Sequence, residues 1–219
     1  MKWLDKLERK FGRYAIRNLM MYIIALNMAV YLIMLTDRTG WVIRKLMLIP
    51  SLVLKGEIWR LLTYIFIPPE SSMVFIFFVL YFYYLIGTSL EQQWGSFKFN
   101  VYYLIGMLGT TIAAFITGKG ATGVYLNLSL FLAFAYMYPN YEILLFFFIP
   151  VKVKYLGWLN IAFIAYAVLT EPLPGKAAAL ASIINFIVFF GRDFINFIKT
   201  KIQVHRNRKK FFRDIRGRR

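Results

Sequence analysis

Apolar residues in this chain come in long runs, and the polar residues gather between the runs rather than alternating with them. Runs of this length match the thickness of a bilayer, so the pattern predicts a membrane protein built of helices. Six spans emerge. The first runs from about Ile16 to Leu35. The second lies within Leu61 to Gly87, but Pro68 and Pro69 cannot sit inside a regular helix, so it starts near Ser71. The third covers Phe99 to Thr117. The fourth covers Val124 to Tyr138 and stops at Tyr138-Pro139-Asn140. The fifth covers Tyr155 to Thr170. Glu171-Pro172-Leu173-Pro174-Gly175 reads as a tight turn before the sixth, Ala177 to about Ile198.

Three other stretches have their own character. Residues 1–17 read as a basic amphipathic segment, with Trp3, Leu4, Leu7 and Phe11 at helical spacing, lying on the membrane surface. The run that follows is too long for a signal peptide and lacks a small-residue cleavage site. The loop carrying Trp41, Ile43, Leu46, Met47, Leu48 and Ile49 is apolar enough to dip into the interface. Ile143 to Ile149, cut off by Pro150, is too short to span and reads as an interfacial connector anchored by Lys152 and Lys154. The chain therefore divides into the segment 1–17, a membrane domain 18–198 and a basic tail 199–219.

Composition narrows the chemistry. The chain has 219 residues, 60% of them hydrophobic, which is more apolar surface than a soluble domain of this length can cover. Cysteine is absent, and the one histidine, His205, lies in the tail. Disulfides, thiolate catalysis and a cysteine or histidine metal site within the spans are thereby excluded, and no cofactor is implied.

The net charge of +17 is a matter of topology rather than of nucleic-acid binding. Of the 27 Lys and Arg, seven (Arg38, Arg44, Lys45, Lys55, Arg60, Lys119 and Lys176) fall on one side of the six-span arrangement, and the other 20 on the side of both termini. Positive charge marks the cytoplasmic side, so both termini are expected there. The tail suits anionic lipid head groups or an acidic partner.

Spaced motifs add a resemblance. Gly56-Glu57-Ile58-Trp59-Arg60-Leu61-Leu62-Thr63 precedes the second span, and Leu90-Glu91-x-x-Trp94-Gly95-Ser96-x-Lys98-Phe99 with Tyr102-Tyr103-Leu104 joins spans two and three. Tyr138-Pro139-Asn140 and the run from Ile143 to Lys154 follow span four. In this order, across roughly Leu54 to Gly191, they resemble the rhomboid intramembrane proteases and their Derlin relatives. The resemblance implies an all-α, six-transmembrane-helix rhomboid-like bundle, in a bacterial-type cytoplasmic membrane. It marks Trp59, Arg60, Glu91, Trp94 and Gly95 as shared structural residues. Arg60, held by Glu57 or by backbone carbonyls, is expected to fix the external loop.

The family's catalytic residues are missing. Counting back from Pro139 places Val124 at the rhomboid serine, and counting back from Gly191 places Leu180 at the histidine. Working back from Gly87, the oxyanion-holding histidine and asparagine of span two fall at Phe75 and Val79. A serine needs a positioned base, and oxyanion donors supply one of the largest catalytic contributions. All four positions are apolar, which implies a rhomboid pseudoprotease. Such a protein admits client transmembrane helices without cleaving them, in quality control, adaptor or assembly roles.

The candidate client-binding or gating residues are Phe75, Phe78, Tyr81, Val124, Asn127, Ser129 and Asn185, with Phe77, Tyr83 and Tyr84 adding aromatic bulk to span two. Two alternatives stand beside this reading: an unconventional hydrolase using Ser129, and a pore-type or membrane-perturbing protein, for which the spans offer few polar residues. Intramembrane Ser and Asn ordinarily bond neighbouring helices, and Asn127 and Asn185 are placed to bond across spans four and six. Gly106, Gly109, Ala177, Ala178, Ala181 and Ser182 provide small faces for close helix packing.

Overall fold

The computed structural model describes residues 2–69, 72–145 and 149–216. The expected helix start near Ser71, the middle of the connector (146–148) and the last residues of the tail (217–219) lie outside them. The elements in chain order are α1 (Lys2–Phe11), α2 (Leu19–Thr36), α3 (Trp41–Leu46), α4 (Pro50–Val53), α5 (Arg60–Thr63), α6 (Met73–Trp94), α7 (Ser96–Thr117), α8 (Val124–Met137), β1 (Glu142–Leu145), β2 (Ile149–Lys152), α9 (Val153–Thr170) and α10 (Leu173–Arg216).

Helices dominate because lipid offers no hydrogen bonds to a bare backbone. Among the described residues, α2, α6, α7, α9 and the first part of α10, Leu173–Gly191, are long and apolar enough to cross a membrane. The expected fourth span, α8, is apolar but only 14 residues long. It is also the most enclosed, with every residue from Ser129 to Phe134 buried. Its length is set by burial among α6, α7, α9 and α10 rather than by contact with lipid.

The second span does not stop at Gly87. α6 continues to Trp94, and Gly95, with φ of +84°, turns the chain directly into α7. A side chain is strained at that φ, so glycine makes the one-residue connection possible. Gly87 lies inside the helix because a Cβ there would collide with Met20 of α2.

The expected connector Ile143 to Ile149 folds differently: Glu142–Leu145 and Ile149–Lys152 pair as antiparallel strands, with Glu142 opposite Lys152 and Leu145 opposite Ile149. Pairing satisfies backbone groups at the membrane surface in a segment too short to cross it. Pro150 is tolerated because each strand of a two-stranded sheet keeps one unpaired edge.

The end of the chain also departs from expectation. The turn expected at Glu171–Gly175 is shorter, since α10 begins at Leu173 and takes Pro174 and Gly175 into its first turn, where a missing N–H costs nothing. The helix then continues through Gly191 to Arg216 as 44 residues. The tail expected as a separate segment is thus a continuation of the sixth apolar helix.

α1 is a helix, as its spacing predicts, but it is docked and not simply laid on lipid. Leu4 is buried in the main core, and Lys98 at the start of α7 bonds Asp5 at 2.7 Å and Glu8 at 3.4 Å. The Lys98 hydrogen bond holds the Asp5 carboxyl below its ordinary range.

Candidate functional site

The four residues aligned with the rhomboid catalytic positions lie on three helices, Phe75 and Val79 on α6, Val124 on α8 and Leu180 on α10. Val124 opens α8 and is 38% exposed, Phe75 on α6 is 44% exposed, and Val79 is half-buried. None has a side-chain donor or acceptor.

Leu180 turns outward, 46% exposed, to line a groove between α7 and α10, while Ala178, Ala179 and Ser182 are buried. Ala179 packs with Leu132 of α8 and with Ile164 and Ala167 of α9. A helix rotates about 100° per residue, so neighbouring residues of α10 take different faces. The inward side chains are alanines and a serine, and none can act as a base.

The polar residues at the centre of the bundle are hydrogen-bonded to one another across the helices. Ser129 is fully buried on α8, with Tyr102 of α7 and Asn185 of α10 on either side. Asn185 Nδ2 donates to Ser129 Oγ at 3.2 Å, the two hydroxyls of Ser129 and Tyr102 lie 2.7 Å apart, and Tyr102 Oη donates to the Ser129 carbonyl at 2.9 Å. With Ser129 donating to Tyr102, each hydroxyl proton in this trio has an acceptor. One residue earlier on α8, Asn160 of α9 donates to the Leu128 carbonyl at 2.9 Å. Side chains from α7, α9 and α10 therefore grip α8 at Leu128 and Ser129. Asn127 does not join Asn185, as the sequence suggested; its side chain meets the Tyr83 hydroxyl of α6 instead.

Close approach makes this set possible. A Cβ at Gly106 would collide with Leu126 and sit 2.8 Å from Asn185 Nδ2. Sequence reading singled out Gly106, but it missed Asn160 and the role of Tyr102. Their signal was an amide and a phenol within apolar runs, and only the rotation of the helices shows what they reach.

The loop between α2 and α6 is fixed by a buried charge. Arg60 is 2% exposed. Its Nε and Nη2 both reach Glu57 Oε2 at 2.6 Å, and Nη1 donates to the carbonyls of Arg44 at 2.6 Å and Met47 at 2.7 Å. Thr63 Oγ1 adds a bond to the Leu46 carbonyl at 3.0 Å. Both kinds of partner expected for Arg60, carboxylate and carbonyl, are present. The loop is pinned to the segment before α8, where Leu48 pairs with Ala121 as an isolated antiparallel bridge. A Cβ at Gly120 would lie 2.8 Å from Met47 Sδ.

The other motif residues tie the opposite end. Glu91 Oε1 accepts the Asn18 N–H at 2.7 Å and the Ser96 hydroxyl at 2.6 Å. Asn18 adopts the left-handed conformation, φ +53°, just before α2, so the carboxylate caps a strained turn. Trp94 is half-buried against Tyr102 and Phe190, each 5.4 Å away between ring centroids. Trp59 is 47% exposed, and Trp41 and Trp158 also face outward, as interface anchors do.

On α6, Phe75, Phe77, Tyr81 and Tyr84 are exposed, and Phe78 stacks on Phe82 with centroids 6.3 Å apart. This aromatic face is the broadest exposed part of the candidate binding set.

Residues 17–191 match the model of the family described as eukaryotic integral membrane protein, DUF1751, and the chain belongs to that family. The family falls in the rhomboid-like clan. No curated protein matches the chain. The chain is thus an integral membrane protein with several transmembrane helices. The eukaryotic description of the family gives no support to the bacterial-type membrane expected from the resemblance.

Proposed function

We propose that this member of the integral membrane family is a rhomboid-like pseudoprotease, which binds transmembrane segments of other membrane proteins inside the bilayer and does not cleave them. The observation that carries the reading is the state of Ser129. It is fully buried, bonded to Tyr102 and Asn185, and has no base within reach in the described contacts. A serine so placed is a helix-packing group, since its hydroxyl is already engaged and nothing nearby takes its proton.

The reading includes six spans, with α8 counted as the short fourth, and both termini on the cytoplasmic side. The basic residues at α1 and along the extension of α10 support that orientation, and the extension is suited to an anionic lipid surface or an acidic partner. The client would meet the exposed aromatic face of α6, near Phe75 and Tyr81. Quality control, adaptor and assembly roles all fit a binder of this kind.

Photoreactive residues at Phe75 or Val124 in the full chain test the reading in native membranes. Discrete crosslinks to intact membrane proteins are the expected result. Crosslinks to lipid alone, or a crosslinked partner recovered as a cleaved fragment, would count against it.

A further inference from the structure

α1 sorts its charges by side. Asp5 and Glu8, three residues apart, turn towards the bundle, where Lys98 bonds them at 2.7 Å and 3.4 Å. Leu4, beside Asp5, is buried in the main core. At about 100° per residue, the side opposite these three falls to Lys6 and Lys10. Both are exposed, as are Arg9 and, in the turn Gly12–Tyr14 after the helix, Arg13. Among the described residues, none of these four cations has a carboxylate partner. Lys10 and Arg13 rest instead over the rings of the adjoining Phe11 and Tyr14, 5.3 Å and 4.7 Å from the centroids.

Two ties fix the height of α1. Lys98 is the third residue of α7, a helix long and apolar enough to cross the membrane, so Asp5 and Glu8 are held at the membrane boundary. The other end of α1, Phe11, stands only eight residues before Leu19, where α2 starts to cross. Glu91, which accepts from both Asn18 and Ser96, shows that α2 and α7 start on the same side. α1 therefore lies along the boundary and does not hang in water.

Its apolar edge agrees with that placement. Leu7 and Phe11, four residues apart between the inward side and the lysines, are 36% and 42% exposed. Apolar side chains flanked by lysines are the mark of a helix in the interface, with the rings and leucine among acyl chains and the ammonium groups at the phosphates. An acidic protein would match the cations in sign but approach from water, whereas head-group phosphates already lie at this height.

We propose that the outward side of α1 binds the phosphates of anionic lipids. One helix then joins two partners, its acids bonded to Lys98 of the bundle and its cations to the leaflet. The site is separate from the extension of α10, and it does not depend on whether the chain binds client helices.

The test uses the full chain in phosphatidylcholine vesicles. The chain has no cysteine, so Leu7→Cys carries a single fluorophore on the apolar edge of α1. The probes are phosphatidylglycerol and phosphatidylcholine with a spin-label quencher high on the acyl chain, each added as a minor component. Contact quenching should show phosphatidylglycerol about fivefold enriched at α1, the ratio that one lysine near an anionic surface sustains. The ratio should fall towards one in about 1 M salt. Replacing Lys6, Arg9, Lys10 and Arg13 together by glutamine should bring it to one. Lys6→Arg with Lys10→Arg should keep it, which separates charge from any loss of fold. Glutamine at Arg206, Arg208, Lys209 and Lys210, in the extension of α10, should leave it unchanged. Quenching by neither lipid would put α1 in water, and equal quenching by both would leave its cations to an acidic protein; either result overturns the proposal. A ratio that survives the α1 replacements, or one lost with those in α10, overturns it as well.

Discussion

Ser129 and Asn185 meet across α8 and α10 through a 3.2 Å hydrogen bond in the buried centre of the bundle. In this chain the contact holds helices together. The serine is a small packing residue with a hydroxyl, and the asparagine spends one end of its amide on it.

Ser129→Ala should leave client crosslinking intact and lower stability by about 1 kcal/mol, the worth of an average intramolecular hydrogen bond. Thermal unfolding in detergent measures the second effect. A fluorophosphonate probe should label neither protein, and labelling of the parent that disappears in Ser129→Ala would establish a hydrolase.

Arg60 should rank its replacements by geometry. Lysine keeps the charge, but its single nitrogen cannot reproduce the planar fork that reaches Glu57 from one side and two carbonyls from the other, so Arg60→Lys lowers the melting temperature. Arg60→Ala leaves Glu57 and the carbonyls of Arg44 and Met47 without their donor, and should cost about 3 kcal/mol. Insertion into membranes should be unchanged in both. Variants that melt like the parent but lose crosslinks would make Arg60 a contact residue.

Gly106→Ala should be more damaging than its size suggests. The added methyl meets Leu126 and Asn185, both on well-packed helices, and overpacking of this kind costs about 1 to 3 kcal/mol. Gly109→Ala, with room at that position, should melt close to the parent.

The docking of α1 should be sensitive to acid. Lys98 depresses the folded-state pKa of Asp5 below its ordinary value of 3.8. A depressed carboxylate stabilises the docked state above its unfolded pKa, and that contribution is lost as pH falls through the folded value. Hydrogen exchange in α1, taken relative to the intrinsic amide rate at each pH, should therefore stay constant from neutral pH to about pH 4 and rise only below it. In Asp5→Asn it should already be raised at neutral pH.

Reporter fusions check the topology. One at Gly95, between α6 and α7, should score cytoplasmic, and one at Gly175, in the first turn of α10, should score on the opposite side. The reverse pattern, or the same side for both, would refute the six-span assignment.

The apolar runs of α2, α6, α7, α9 and α10, and the lack of any base or oxyanion donor at the aligned positions, were legible in the sequence. A backbone in lipid must satisfy its own hydrogen bonds within each helix, and that requirement is local, so residue order reveals it. The Arg60 contacts were legible for a related reason, since Glu57 is three residues away and a charge near lipid must find partners. Other features depended on helix rotation and contact. Leu180 faces out and Ala179 in because packing, not spacing, sets how α10 turns. Glu142–Leu145 and Ile149–Lys152 pair as strands because a segment too short to cross can still close its hydrogen bonds between strands, which apolar content alone does not reveal. The grip of Tyr102, Asn160 and Asn185 on α8, and the groove beside Asn185, arise where separate spans meet. Interactions of that kind are set by depth and rotation between distant parts of the chain, and only the tertiary structure decides them.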